Sequence, residues 1–244
     1  MSEEQSVKIV EKDSKEIIKL ALVDGLGIFF LVTAVMLTAG NVNKVIFCVY
    51  TIIMVIGNVS GAHINPTVTL GIWVYNGDLL AKHHLVKLFS YIGCHFVLAF
   101  FAAFLSRIIY NAESVMFITT YDSFRVFLIE FLFTGTLVFV VLLINTKATR
   151  PTDTTWVNGM IVALHLYFII VANDNISGGS YNPAVYFGIN LIAYIYGNNL
   201  AFNYLPVMLT APFLGSVTFA LIFKYIFKPA YESKDQKIIH EIEE

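Results

Sequence analysis

Charge is scarce in this chain. Lysine, arginine, aspartate and glutamate together make up 13% of its 244 residues, about half the share found in an ordinary soluble domain. Cysteine is nearly absent. Cys48 and Cys94 both sit in apolar runs and supply neither a disulfide framework nor metal-ligand spacing, so no metal or cofactor is expected. There is no excess of basic residues: 15 cations against 17 anions leave a net charge of −2, which argues against a nucleic-acid partner. The sequence lacks His-Glu-x-x-His, Gly-x-Gly-Asp and any serine-centred nucleophile motif, so it is not read as an enzyme. The first 16 residues carry Glu3, Glu4, Glu11, Asp13 and Glu16. That acid content excludes a secretory signal peptide and a mitochondrial presequence, and the first apolar run is expected to serve as an uncleaved signal-anchor.

What the chain has instead is apolar length. Hydrophobic residues make up 57% of it, and the mean hydropathy is +0.74. So much apolar surface needs lipid as its solvent, and a spanning helix takes about 20 apolar residues. Runs of that kind cover residues 17–40, 45–59, 85–109, 124–145, 156–171 and 202–227. Two more, 66–75 and 183–194, are too short to cross and read as re-entrant segments.

Basic residues set the expected orientation. Lys8, Lys12, Lys15 and Lys19 precede the first span; Lys82 and Lys87 lie between the second and third; Lys147 and Arg150 between the fourth and fifth; Lys224, Lys228, Lys234 and Lys237 end or follow the sixth. With six spans these twelve share one face, and only Lys44, Arg107 and Arg125 lie on the other. Both termini of this integral, multi-pass membrane protein are therefore expected in the cytoplasm.

The chain repeats itself. Residues 60–72 (SGAHINPTVTLGI) and 177–189 (SGGSYNPAVYFGI) agree at seven of thirteen positions. Upstream, the acidic run beginning at Asp24 sets against the one beginning at Glu130. Each half reads as acidic span, second span, Asn-Pro segment, third span. Three spans per half is odd, so the second half enters the membrane from the opposite side. In such inverted repeats the functional site lies near the midplane, where the halves meet.

Asn-Pro suits a helix start. Proline's missing N–H would be unpaired in the first turn, and asparagine's side-chain oxygen caps a free backbone N–H. Asn65-Pro66 and Asn182-Pro183 are thus expected to open two half-helices whose N-termini meet. Their side-chain NH2 groups would point into a cavity, and two partial positive charges of about half a unit each would stand there. That arrangement favours water or a hydroxyl and opposes cations and protons. The carbonyls of residues 57–64 and 174–181 are candidate acceptors for a permeant.

With these features the sequence resembles the major intrinsic protein family, the aquaporins and aquaglyceroporins, over about residues 17–228. The resemblance implies an all-α membrane fold, six transmembrane helices plus two re-entrant half-helices in an inverted repeat, with one pore per monomer and homotetrameric assembly. It divides the chain into a polar tail (1–16), a channel domain (repeats at about 17–110 and 122–228) and a charged tail (229–244), the latter a solvated or partner-binding segment. The family's two Asn-Pro-Ala boxes correspond to Asn65-Pro66-Thr67 and Asn182-Pro183-Ala184, its Ser-Gly-x-His to Ser60-Gly61-Ala62-His63, and its late Gly-Pro pair to Ala211-Pro212. By resemblance Asp24 and Glu130 brace the loops carrying the half-helices, and His63 is a structural hydrogen-bonder beside the first box. His95, where the family often has glutamine, and His165 read as satisfied core histidines.

The sequence also departs from the family. Arginine usually follows the second box, where it donates hydrogen bonds to a permeant and repels cations; here Val185 stands there. The other filter positions near the outer mouth fall on Val45, Ile170 and Gly179. Either the pore is wider and more permissive, or hydrophobic side chains close it by dewetting. Thr67, in place of alanine, is expected to pack against the second half-helix. Gly27, Gly61, Gly178 and Gly215 are expected at close helix contacts. Asp174 reads as a loop or cap residue, and the glycosylation sequon at Asn175 as unused. Two functions fit: a passive channel for water and small uncharged solutes such as glycerol or urea, or a pore-inactive structural or complex-bound membrane subunit.

Overall fold

The structure is a computed structural model that describes residues 14–77, 79–110, 119, 121–173 and 176–233. Six helices in it are long and apolar enough to cross a bilayer: α1 (Ser14–Leu37), α2 (Val42–Ser60), α4 (Lys82–Tyr110), α5 (Ser123–Asn145), α6 (Thr155–Ala172) and α8 (Leu205–Ile222). Two shorter ones, α3 (Pro66–Asn76) and α7 (Pro183–Ile195), reach only about 16 and 20 Å at 1.5 Å per residue, well short of a 30 Å hydrocarbon core. Among the described residues there are no strands.

Two helix starts differ from the apolar runs, the first because a polar residue supplies a cap that a hydropathy reading cannot weigh. α2 begins at Val42 rather than Val45, because the Asn41 side chain accepts from the Lys44 N–H and starts the helix one turn early. α8 begins at Leu205, after a turn through Phe202. It continues through a π-helical turn at Phe223–Phe227 to Ser233, so Tyr231–Ser233 of the charged tail are helical.

The two halves fold alike. α1 packs most extensively on α4, and α5 on α8. Glycines let these helices close up. On α1 a Cβ on Gly27 would lie 2.7 Å from Ile56 of α2, and on α8 one on Gly215 would collide with the Phe131 backbone of α5, as expected for both. Gly188 is an unforeseen third: its Cβ would stand 2.7 Å from the Ala99 carbonyl carbon, which brings α7 against α4. Gly61 and Gly178 differ from expectation. They are loop residues with φ of 98° and 82°, in the left-handed region, and it is backbone conformation rather than helix contact that requires them.

Candidate functional site

Residues 61–64 lead from α2 into α3 and residues 178–181 lead into α7, and the two segments follow the same backbone course. Positive φ falls on Gly61, Ala62 and Ile64 in the first, and on Gly178, Gly179 and Tyr181 in the second. Ile64, β-branched at φ 40°, is a strained position that the surroundings must hold.

Two buried acids hold these loops. Asp24 on α1 accepts from the Ser60 hydroxyl (2.7 Å), the N–H of His63 (3.0 Å), the N–H of Ile64 (2.7 Å) and Nε2 of His95 (2.8 Å). Glu130 on α5 accepts from the Ser177 hydroxyl (2.6 Å) and the Tyr181 N–H (3.2 Å). Each serine hydroxyl accepts in turn from the N–H two residues on, Ala62 or Gly179, both at 3.2 Å. Both acids are fully buried, and such groups are tolerated only when partnered.

The histidines divide. His63 shares a 3.0 Å hydrogen bond between Nδ1 and Thr69 Oγ1, and His165 one of 3.1 Å between Nε2 and Thr136 Oγ1. His95 departs from the expected satisfied state: Nε2 meets Asp24, but Nδ1 is buried with no partner among the described residues. Sequence spacing carries no signal of it.

Asn65 and Asn182 cap α3 and α7 as expected. Asn65 Oδ1 accepts from the Thr67 N–H (2.9 Å), and Asn182 Oδ1 from the Ala184 N–H (3.2 Å) and the Val185 N–H (3.4 Å). Pro66 and Pro183 are the first helical residues. The NH2 groups are not wholly left to the cavity. Asn65 Nδ2 donates to the Tyr181 carbonyl and Asn182 Nδ2 to the Ile64 carbonyl, each at 2.8 Å. One hydrogen of each amide is thus committed across the repeat, and one remains. The Thr67 hydroxyl turns back and donates to Asn65 Oδ1 at 2.7 Å.

A cavity of about 290 Å³ lies between the two loops, far above the 10–15 Å³ that one water needs. It reaches Asn65 and Asn182 and extends to Ala39, Gly40 and Val42 at the α1–α2 turn. Val45, Ile170, Gly179 and Val185 all line it, as do the loop residues Ala62–Ile64 and Gly178–Tyr181. Its walls are helix faces repeated at three- and four-residue spacing: Val42, Val45, Val49 and Ile53 on α2, and Val162, Leu166 and Ile170 on α6. The α2 stripe alone runs about 16 Å. Of the carbonyls proposed as acceptors, those of residues 57–60 belong to helix α2, and those of Ile64 and Tyr181 are taken by the asparagines. Asp174 and Asn175 lie outside the described residues. No group of acidic, histidine or cysteine side chains able to hold a metal occurs among the described residues.

A family model described as "Major intrinsic protein" matches residues 5–223. The chain belongs to the major intrinsic protein family. It is 27% identical over 183 residues to an aquaporin, AqpM, of Methanothermobacter thermautotrophicus, covering 74% of this chain and 73% of that one. It is 28% identical over 191 residues to the maize (Zea mays) aquaporin NIP2-1, covering 77% and 60%. Among solved structures, the aquaglyceroporin of Plasmodium falciparum superposes with a TM-score of 0.73 at 20% identity, over 90% of this chain and 99% of that one, which establishes the shared fold. This major intrinsic protein is therefore an integral, multi-pass membrane protein of a family of passive channels, and not an enzyme.

Proposed function

We propose that this chain is a passive transmembrane channel for water and small uncharged solutes, its pore running through the cavity between the two half-helices. The observation that carries the reading is that one continuous cavity reaches both Asn65 and Asn182 at the facing N-termini of α3 and α7. Two helix N-termini place about half a positive charge each beside that point, so a cation or proton meets a barrier while a neutral molecule does not. Val45, Ile170, Gly179 and Val185 form the outer filter in this reading. Support for a permissive filter is that the cavity continues beyond them to the α1–α2 turn. The termini face the cytoplasm, on the strength of the lysine and arginine asymmetry, and the chain assembles as a homotetramer by family relationship.

One observation favours the alternative of a pore-inactive structural subunit. Val68, Val141 and Val162 line part of the cavity with aliphatic side chains only, and an aliphatic constriction excludes water when it is narrow. Osmotic shrinkage of proteoliposomes decides between the two. A channel gives water permeability well above empty vesicles; permeability equal to empty vesicles rejects the channel and leaves the structural subunit.

A further inference from the structure

Hydrogen-bonding capacity along the cavity is lopsided. The loop N–H groups of Ala62, His63, Ile64, Gly179 and Tyr181 all turn away, toward Asp24, Glu130 and the two serine hydroxyls. The hydroxyls of Ser180 and Tyr181 are spent on the carbonyls of Asn182 and Ile169. Among the described residues, no loop or cap backbone N–H donates to the carbonyls of Ala62, His63, Gly178 or Gly179, and all four residues line the cavity. Toward the α1–α2 turn the facing side chains are Val42, Val45, Ile170 and Val185, none of which can donate. Side-chain amide donors enter only where Asn65 and Asn182 each keep one free hydrogen.

We propose that this pore favours small molecules with primary amide groups, such as urea, over small diols and polyols, with Val185 setting the preference. The inference rests on the channel reading above. An amide nitrogen carries N–H groups and no lone pair that seeks a donor, so a carbonyl wall satisfies it completely. The amide oxygen then meets the free hydrogens of Asn65 and Asn182. A hydroxyl carries one donor and two lone pairs. It can donate to the wall, but its lone pairs find no side-chain donor at Val45, Ile170 and Val185. An unpaired buried acceptor slows passage by about 5- to 150-fold, and water travelling with the solute brings the effect to the lower end. The same bare carbonyls attract cations, which the half-helix N-termini then stop.

The test uses the full-length protein in proteoliposomes, with empty vesicles of the same lipid as background, and compares influx of urea with that of ethane-1,2-diol. The two solutes have equal numbers of heavy atoms, so sieving by size does not separate them. The protein-dependent permeability to urea is expected to exceed that to the diol about fivefold. Val185→Arg, which restores a donor at the mouth, is expected to bring the ratio close to one. Val185→Thr, of the same shape with a hydroxyl, should move it the same way by less and guards against misfolding of the bulkier variant. The reading is the ratio, which a uniform loss of channels does not change. Water flux measured in the same vesicles keeps the two failures apart: no water flux above background removes the channel itself. Water flux with the diol passing as fast as urea overturns the preference, and a ratio unmoved in both variants overturns the role of Val185.

Discussion

Asn65 and Tyr181, 116 positions apart, are joined by a 2.8 Å hydrogen bond from the side-chain amide of one to the main-chain carbonyl of the other. Asn182 and Ile64 repeat it with the halves exchanged, also at 2.8 Å. The two bonds lock the half-helices to each other's loops rather than only to their own. Asn65→Asp or Asn182→Asp removes the donor and faces a carbonyl with an oxygen. Each is expected to lower stability by about 2–4 kcal/mol, and by similar amounts, since the two bonds are equivalent. Thermal unfolding in detergent checks this; a wild-type midpoint for either variant would show that the cross-repeat bond carries no stability.

The acids that brace the loops are unequally loaded. Asp24 accepts from four donors and Glu130 from two. Asp24→Asn turns an NH2 group onto sites that offer only donors, and about 3–5 kcal/mol should be lost. Glu130→Gln keeps an oxygen for one of its two partners and should cost about 1–3 kcal/mol. Unfolding midpoints in the order wild type, Glu130→Gln, Asp24→Asn are expected, and the reverse order for the two variants contradicts the hydrogen-bond assignment.

His95 supports Asp24 through Nε2 while its Nδ1 stays buried and unpaired. Glutamine can offer the same N–H without that idle nitrogen. His95→Gln is therefore expected to remain within about 1 kcal/mol of wild type, whereas His95→Ala, which strips a donor from a buried carboxylate and leaves a void, should lose about 3–5 kcal/mol. Equal losses in the two variants would mean that His95 acts by volume alone.

Thr67 holds the Asn65 oxygen with both its N–H and its hydroxyl, at 2.9 and 2.7 Å. Thr67→Val preserves the shape and removes only the hydroxyl. A loss of about 1 kcal/mol is expected, and Thr67→Ala should add a cavity term to it. If valine is indistinguishable from threonine in the unfolding assay, the hydroxyl bond contributes nothing.

Close approach of α7 to α4 rests on Gly188, whose Cβ would stand 2.7 Å from the Ala99 carbonyl carbon and 2.8 Å from its oxygen. Backbone cannot move aside as a side chain can, so Gly188→Ala is expected to lose about 3 kcal/mol or more. Gly93, also on a helix, has open space where its Cβ would be, and Gly93→Ala should lie within about 0.5 kcal/mol of wild type. Comparable losses at both positions would contradict the packing described for Gly188.

Local chemistry and internal repetition made most of the fold legible before any coordinates. Apolar length marked six spans, because lipid leaves a helix no alternative way to satisfy its backbone. Asn-Pro marked the starts of α3 and α7, because capping and a missing N–H act within one turn. The agreement between residues 60–72 and 177–189 implied the inverted repeat and paired Asp24 with Glu130. What tertiary structure alone decided involves partners far apart in the chain. The asparagine amides divide between the opposite loop and the cavity because Tyr181 and Ile64 stand within reach only after the halves close. The role of Gly61 and Gly178 follows from a backbone turn that the buried acids impose, and that of Gly188 from a neighbouring helix it meets only in three dimensions. The acceptor-rich lining proposed above arises in the same way: Asp24 and Glu130 draw loop N–H groups aside, and side chains such as Val185 that share the cavity cannot donate to anything that passes.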